Sequence, residues 1–218
     1  MASKTPKKKL LRRYTSLSAL IQLLRSKELT LLSSSKWDDR NDAHFLSQYA
    51  RWKNLGAVLA ACFAKAGETY HHWKVFSHGL DGVCIEFDED RLRDSLEAHR
   101  NLSFGDVEYR KLDQIRKRPP KVDRLPFIKR YPFRDEREFR VIYDSDDLID
   151  FKSFAIDLGC ISRITLSPWS NKPLSDAIKA TIRDIDGCAK LRVYRTTLID
   201  NESWKNAILP RGGHPTGS

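Results

Sequence analysis

The 218 residues allow one large domain or two small ones, and a hydrophobic share of 40% is enough to build a core. A formal net charge of +10 favours polyanionic partners (nucleic acid, an acidic protein or a phosphate-rich ligand), although a generally basic surface has the same sum. Four dispersed cysteines without C-x-x-C spacing exclude a zinc-ribbon or disulfide-framework pattern, and the lack of a signal-peptide core or an apolar run near ~18 residues points to a cytoplasmic protein.

Residues 1–9 read as a mobile basic tail. Residues 10–15 form a short strand, and Thr15 or Ser16 caps a helix with Leu17, Leu20, Ile21 and Leu24 at helical spacing. A second strand at 29–32 precedes Trp37-Asp-Asp-Arg-Asn-Asp42, a polar turn rich in groups that hydrogen-bond backbone. A helix carrying Phe45, Tyr49 and Trp52 follows, and the small-apolar run 57–64 is a central strand. Residues 68–76 are a helix with Trp73 and Phe76 inward. In the strand at 82–88, Val83, Ile85 and Phe87 alternate with Cys84, Glu86 and Asp88. A charged helix at 89–100 and strand pieces at 102–104 and 107–109 lead into a basic run. That run, 110–130, holds nine Lys or Arg against Asp113 and Asp123, and reads as a basic helix and then an extended connector beyond Pro119-Pro120.

The stretch 131–143 (Tyr-Pro-Phe-Arg-Asp-Glu-Arg-Glu-Phe-Arg-Val-Ile-Tyr) reads as a strand with Glu136, Glu138 and Arg140 on one face. Strands at 151–156 and 161–166, a helix at 172–186 and a strand at 191–195 complete the pattern. The Gly- and Pro-rich residues 210–218 read as a disordered tail. This order predicts a single α+β domain over 10–209, with twisted, mainly antiparallel or mixed sheets and peripheral helices, rather than a doubly wound parallel sheet.

No Walker A loop, G-x-G-x-x-G, G-x-S-x-G elbow or H-E-x-x-H occurs. His71 and His72 are adjacent, so on a helix they diverge and do not suit chelation; a satisfied surface histidine is the simpler reading, and one of the pair facing a cleft is the other. Glu86, Asp88 and Glu138 could supply acids to a metal-dependent nuclease, but no lysine alternates with them in the usual way. Without a metal, a carboxylate beside an arginine in a cleft can hydrogen-bond a ribose hydroxyl while positive charge grows at the anomeric carbon. Glu138, with Glu136 two residues before it, has that layout. On the residues alone, an ion-pair ladder of Glu136 and Glu138 with Arg137 and Arg140 on an exposed strand is the simpler reading.

Segment order adds context. Arg13-Tyr-Thr-Ser16, Leu29-Thr-Leu31, Trp37 to Asp42, Cys62-Phe63, the aromatics Trp73 and Phe76, Gly82 to Asp88, and Glu136-x-Glu138-x-Arg140 follow one another over residues 10–195. In that order they resemble the bacterial domain-of-unknown-function family number 2971. Two positions depart from its pattern: Asn41-Asp42-Ala43 stands for the usual N-D-P, and Phe76 for a frequent tyrosine. The layout is in turn similar to the ADP-ribosyltransferase fold. That resemblance implies a metal-free transferase using NAD, with Arg13, Tyr14 and Thr15 contacting NAD and Trp73 or Phe76 lining the nicotinamide pocket. It also implies Glu138 as the catalytic carboxylate and Glu136 as its accessory.

The basic surplus bears on the acceptor. Lys111, Arg116, Lys117, Arg118, Lys121, Arg124, Lys129 and Arg130, interleaved with Tyr109, Phe127, Tyr131 and Phe133, suit contact with single-stranded RNA or DNA. An enzyme that consumes NAD to modify nucleic acid would harm its own cell, so a toxin or phage-defence role with an acidic antitoxin is expected. The alternatives are the metal-dependent nuclease and a non-catalytic nucleic-acid-binding module.

Overall fold

A computed structural model describes residues 8–77 and 79–208. Most of the basic tail expected at 1–9, and the whole of the tail expected at 210–218, lie outside the described residues. The chain runs β1 (Leu10–Ser16), α1 (Leu17–Ser26), β2 (Glu28–Ser33), α2 (Arg40–Lys53), β3 (Ala57–Ala64), α3 (Tyr70–Phe76), β4 (Gly82–Asp88) and α4 (Glu89–Glu97). It continues through β5 (Leu102–Asp106), β6 (Glu108–Arg110), α5 (Leu112–Lys117), β7 (Ile128–Arg130), β8 (Glu138–Ser145) and β9 (Phe151–Ala155), and ends with β10 (Ile161–Leu166), α6 (Lys172–Arg183), β11 (Val193–Arg195) and α7 (Glu202–Ala207). The α+β class is as expected. Within the main sheet, only β10 and β11 pair in parallel.

β3 is the hub. β8 pairs with all eight of its residues along one edge. The other edge is divided: β2 meets it at Leu59 and Ala60, and β1 meets it only at Ala64. β1 then carries β4, β10 and β11 outward, and β2 carries β9. The sheet thus splits into two branches that share β3.

Alternation assigns the faces. Leu59, Ala61 and Phe63 of β3 join Phe139 and Val141 of β8 and Leu11, Ile85 and Phe87 in the main core, which α1, α4 and α6 cover through Leu20, Leu24, Leu92, Leu96, Ile178 and Ile182. On the opposite face Val58, Ala60 and Ile142 pack under Leu46 and Tyr49 of α2, with Leu125 and Phe127. Further along that second face, β3 presents Cys62 and Ala64, and β8 presents Arg140 and Glu138. Apolar packing gives way to charge there.

Two expectations need correction. The stretch 131–143 is not one strand: Tyr131–Glu136 is a 3-10 turn with Pro132 in its first turn, and Arg137 (φ 45°, ψ 55°) switches the chain into β8. The proline fixes its φ and lacks an N–H, which suits a helical start and not a strand interior. The connector after α5 is likewise folded, a 3-10 segment (Val122–Phe127) that buries Leu125, Pro126 and Phe127 beneath α2. The inward face of α2 is Asp42, Leu46 and Tyr49, leaving Trp52 exposed.

Candidate active site

The divided edge of β3 opens beside a cleft of about 400 Å³. One row of paired residues crosses the sheet there: Arg163 opposite Glu86, Glu86 opposite Arg12, Arg12 opposite Ala64, and Ala64 opposite Glu138. Directly opposed residues share a face, so Arg12 and Glu138 both look into the cleft, two strands apart. Tyr14, two residues on from Arg12, looks the same way.

Glu138 and Arg140 form the floor. The Arg140 guanidinium is fully buried and donates Nε to Glu138 Oε1 (2.7 Å) and Nη2 to Glu138 Oε2 (2.9 Å). Its Nη1 donates to Asp42 Oδ1 (2.8 Å) and to the Pro126 carbonyl (2.8 Å), and Nη2 also reaches Asp42 Oδ2. All five guanidinium donors are thereby used. Asp42 arrives at that point because Asp39 caps α2, accepting from the Asn41 and Asp42 backbone N–H groups, which sets Asp42 in the first turn. A carboxylate in a first helical turn is favoured by the dipole.

Lys129 completes the cluster. Its Nζ donates to Glu136 Oε2 (2.7 Å) and Glu138 Oε2 (3.3 Å), and lies 3.8 Å from Asp42 Oδ2. Three carboxylates therefore share two cations in a buried site. Burial pushes the Glu138 carboxyl up, but Arg140 and then Lys129 overcome it and hold the group well below the ordinary carboxylate range. Asp42 and Glu136 are raised, burial outweighing their cations, because the two positive charges cannot fully compensate three acids. Lys129 is held charged: burial opposes the ammonium, and Glu138 and Glu136 outweigh it.

The opposite wall is aromatic. Tyr14 stacks on His72 (centroids 5.4 Å apart, 8° between planes) and meets Trp73 edge-on at 5.2 Å. Thr69 Oγ1 accepts from the His72 backbone N–H at 3.2 Å, which directs its own proton to His72 Nδ1 at 2.6 Å. The neutral imidazole then carries its proton on Nε2, a buried atom near the Glu136 carbonyl but without a well-formed hydrogen bond to it; the Tyr14 hydroxyl is buried as well, with only the weakly bonding Cys84 thiol beside it. Trp37, Phe63, Phe76 and Phe133 extend the aromatic lining, and Arg12 spans it while bound to Glu86 (2.8 Å) and the Ala66 carbonyl (2.8 Å).

Of the residues assigned from sequence to NAD binding or catalysis, Glu136, Glu138, Tyr14 and Phe76 meet at this cleft. Trp73 is fully buried behind Tyr14. Arg13 and Thr15 belong to the other alternation of β1; Arg13 lies over the Phe63 ring at 5.8 Å, with Nη1 buried and unpartnered. Seven of the eight basic residues (Lys111, Arg116, Lys117, Arg118, Lys121, Arg124 and Arg130) are exposed. Lys129 is placed otherwise than the basic run suggested, because Glu136 and Glu138 draw it inward. Arg12 and Asp42 were missed. Both had a signal: Arg12 alternates with the apolar Leu11, and Asp42 precedes Leu46 and Tyr49 at helical spacing on the inward face.

Glu86 does not converge with Glu138. Three strand spacings separate them, about 14 Å at ~4.8 Å each, and Arg12 and Arg163 (2.9 Å) both bind Glu86. Among the described residues no three His, Cys, Asp or Glu side chains form a metal-holding group, and no helix is long and apolar enough to cross a membrane.

The chain is similar to DarT of Thermus sp. 2.9. The structure of that protein in complex with ADP-ribosylated ssDNA is 11% identical, with a TM-score of 0.48 over 90% of this chain and 98% of that one. Its complexes with NAD+ (11% identical, TM-score 0.45, 88% and 98% covered) and carba-NAD+ (11% identical, TM-score 0.46, 88% and 97% covered) are similar to the same degree. No family model and no curated protein matches the chain.

Proposed function

We propose that the cleft is the active site of an NAD-dependent ADP-ribosyltransferase that modifies a nucleic acid, with Glu138 as its catalytic carboxylate. The observation that carries this is the state of Glu138: a carboxylate kept ionised by a saturated arginine, on the floor of an aromatic cleft. NAD would supply the ADP-ribosyl group and the nicotinamide leaving group. The residues present suit it. Tyr14, Trp37, Phe76 and Phe133 offer flat surfaces for its rings. Arg12 uses Nε and Nη1 within the protein, and Nη2 is available to a pyrophosphate oxygen.

A carboxylate has about four lone-pair sites, and Arg140 and Lys129 occupy three of them on Glu138. The fourth can accept a ribose hydroxyl in place of the weakly donating Cys62 thiol beside it. The charge of Glu138 then offsets positive charge growing at the anomeric carbon as the bond to the leaving group lengthens. Glu136, with its raised proton affinity, is suited to take the proton of the attacking acceptor group. Such an enzyme is harmful to its host cell, which fits a toxin or defence effector restrained by an acidic antitoxin.

The test is incubation with NAD labelled on its adenylate half and separate pools of single-stranded DNA, RNA and protein. Label is expected in a nucleic-acid pool, with the rate lowered at least ~100-fold by Glu138→Gln. Label in no pool, or equal label with Glu138→Gln, overturns the reading.

A further inference from the structure

A second cavity, of about 920 Å³, lies beside the cleft, and Lys129 lines both. We propose that this cavity is the acceptor groove, holding the unpaired bases and phosphates of a single-stranded nucleic acid. Its role as an acceptor groove rests on the transferase reading of the cleft; its ligand chemistry rests on its own lining.

All five charged residues that line it are cations: Arg40, Arg110, Lys111, Lys129 and Arg130. Lys129 is engaged by Glu136 and Glu138, and Arg110 donates to Glu108 (2.7 Å) and the Arg118 carbonyl (3.1 Å). Among the described residues Arg40, Lys111 and Arg130 form no ion pair, so three cations from α2, the start of α5 and β7 converge without a carboxylate to neutralise them. Phosphate is the anion that such a rim matches, since release of the counterions condensed on a polynucleotide adds to each contact.

The floor sets which polyanion fits. Phe45, Leu112, Ile115 and Tyr131 present an apolar surface between the cations, with Leu112 65% and Tyr131 38% exposed. Lys111 Nζ lies 5.1 Å from the Tyr131 ring centre, so charge and flat surface are offered together. A duplex keeps its base faces within the stack and could meet only the rim, and a run of acidic side chains brings charge but no flat ring of its own to the floor. Unpaired bases satisfy both parts. Groove and cleft share Lys129 in their linings. Lys129 lines the groove with its Nζ 2.7 Å from Glu136, so a strand seated there has its reacting nucleotide next to the proposed proton acceptor.

Fluorescence anisotropy on the full chain, without NAD, tests this with labelled oligothymidylate, oligouridylate and a duplex of equal length across a salt series. The single strands are expected to bind at least ~10-fold tighter than the duplex, and the tighter of the two names the sugar. The double variant Lys111→Glu/Arg130→Glu is expected to lower single-strand affinity at least ~10-fold and to flatten the slope of log K against log salt by about one to two. Tyr131→Ala should weaken the single strand by roughly fivefold or more and leave duplex binding unchanged. These side chains are exposed, and thermal melting checks that the variants fold. Equal binding of duplex, indifference to the variants, or polyglutamate competing as well as the oligonucleotides would each overturn the proposal. Because NAD is absent, failure here leaves the cleft to be judged by label transfer, and failure of label transfer leaves the groove to be judged by strand binding.

Discussion

The two walls of the cleft differ in how fully their polar groups are matched. On the β8 wall every Arg140 donor has an acceptor, and the partners come from three separate segments: Asp42, Pro126 and Glu138. On the β1–α3 wall the Tyr14 hydroxyl and His72 Nε2 are buried without a well-formed hydrogen bond, meeting only the weak Cys84 thiol and the edge of the Glu136 carbonyl. An unmatched buried polar group costs about 1–3 kcal/mol, and native proteins keep few of them. The difference teaches a division of labour. The first wall has its charge fixed within the protein, and on the proposed reading the second keeps hydrogen-bonding capacity for a ligand.

The largest effect should come from breaking the matched wall. Arg140→Leu removes the shared cation of two buried carboxylates and should lower stability by about 3–5 kcal/mol, read by urea unfolding at unchanged slope. A loss below about 1 kcal/mol would mean the cluster relaxes freely and the two walls do not differ as described.

A smaller effect follows from proton linkage. The folded-state value of Glu138 lies near about 2, below its unfolded value. Its contribution is therefore present above the unfolded value of about 4.3 and is lost as pH falls toward about 2. Asp42 and Glu136 are raised and act with the opposite sign, favouring the folded state as they take up protons. Stability of the wild type minus that of Glu138→Gln should be flat above pH ~5 and should fall between pH ~4.5 and ~2. A difference that rises toward acid would place the lowered value on another carboxylate.

The smallest effect probes the unmatched wall. Tyr14→Phe deletes a hydroxyl whose one neighbour in the protein is the weakly bonding Cys84 thiol, so thermal stability should change by less than about 0.5 kcal/mol, while NAD affinity falls roughly three- to tenfold by calorimetry, the worth of one hydrogen bond. A stability loss above ~1 kcal/mol would show that the hydroxyl is already matched in the free protein.

Much of the fold was legible in the sequence because strands and helices announce themselves within a short window. The alternation at 82–88, the apolar run at 57–64 and the Ser16 cap with its leucines all became the expected elements. Local pattern misled where a residue could serve two geometries. Glu136, Arg137 and Glu138 alternate as a strand would, yet both glutamates reach the cleft through a left-handed Arg137 at the end of a 3-10 turn. Trp52 fits a helical apolar stripe and is 62% exposed, since the partners of α2 lie toward Asp42, Leu46 and Tyr49.

By itself, then, the sequence determined the α+β class, the positions of most elements and the acid pair at 136 and 138, all properties of periods 2.0 and 3.6 and of side-chain chemistry. Only the tertiary structure decided which residues face that pair. Pairing of Arg12 with Ala64, and of Ala64 with Glu138, puts Arg12 and Tyr14 on the face of the acids and Arg13 on the other, a register no single segment encodes. The same holds for Lys129, which reads as one more cation in a basic run. Burial beside three carboxylates makes it a fixed counter-charge of the cleft, because a charge leaves water only where opposite charge receives it.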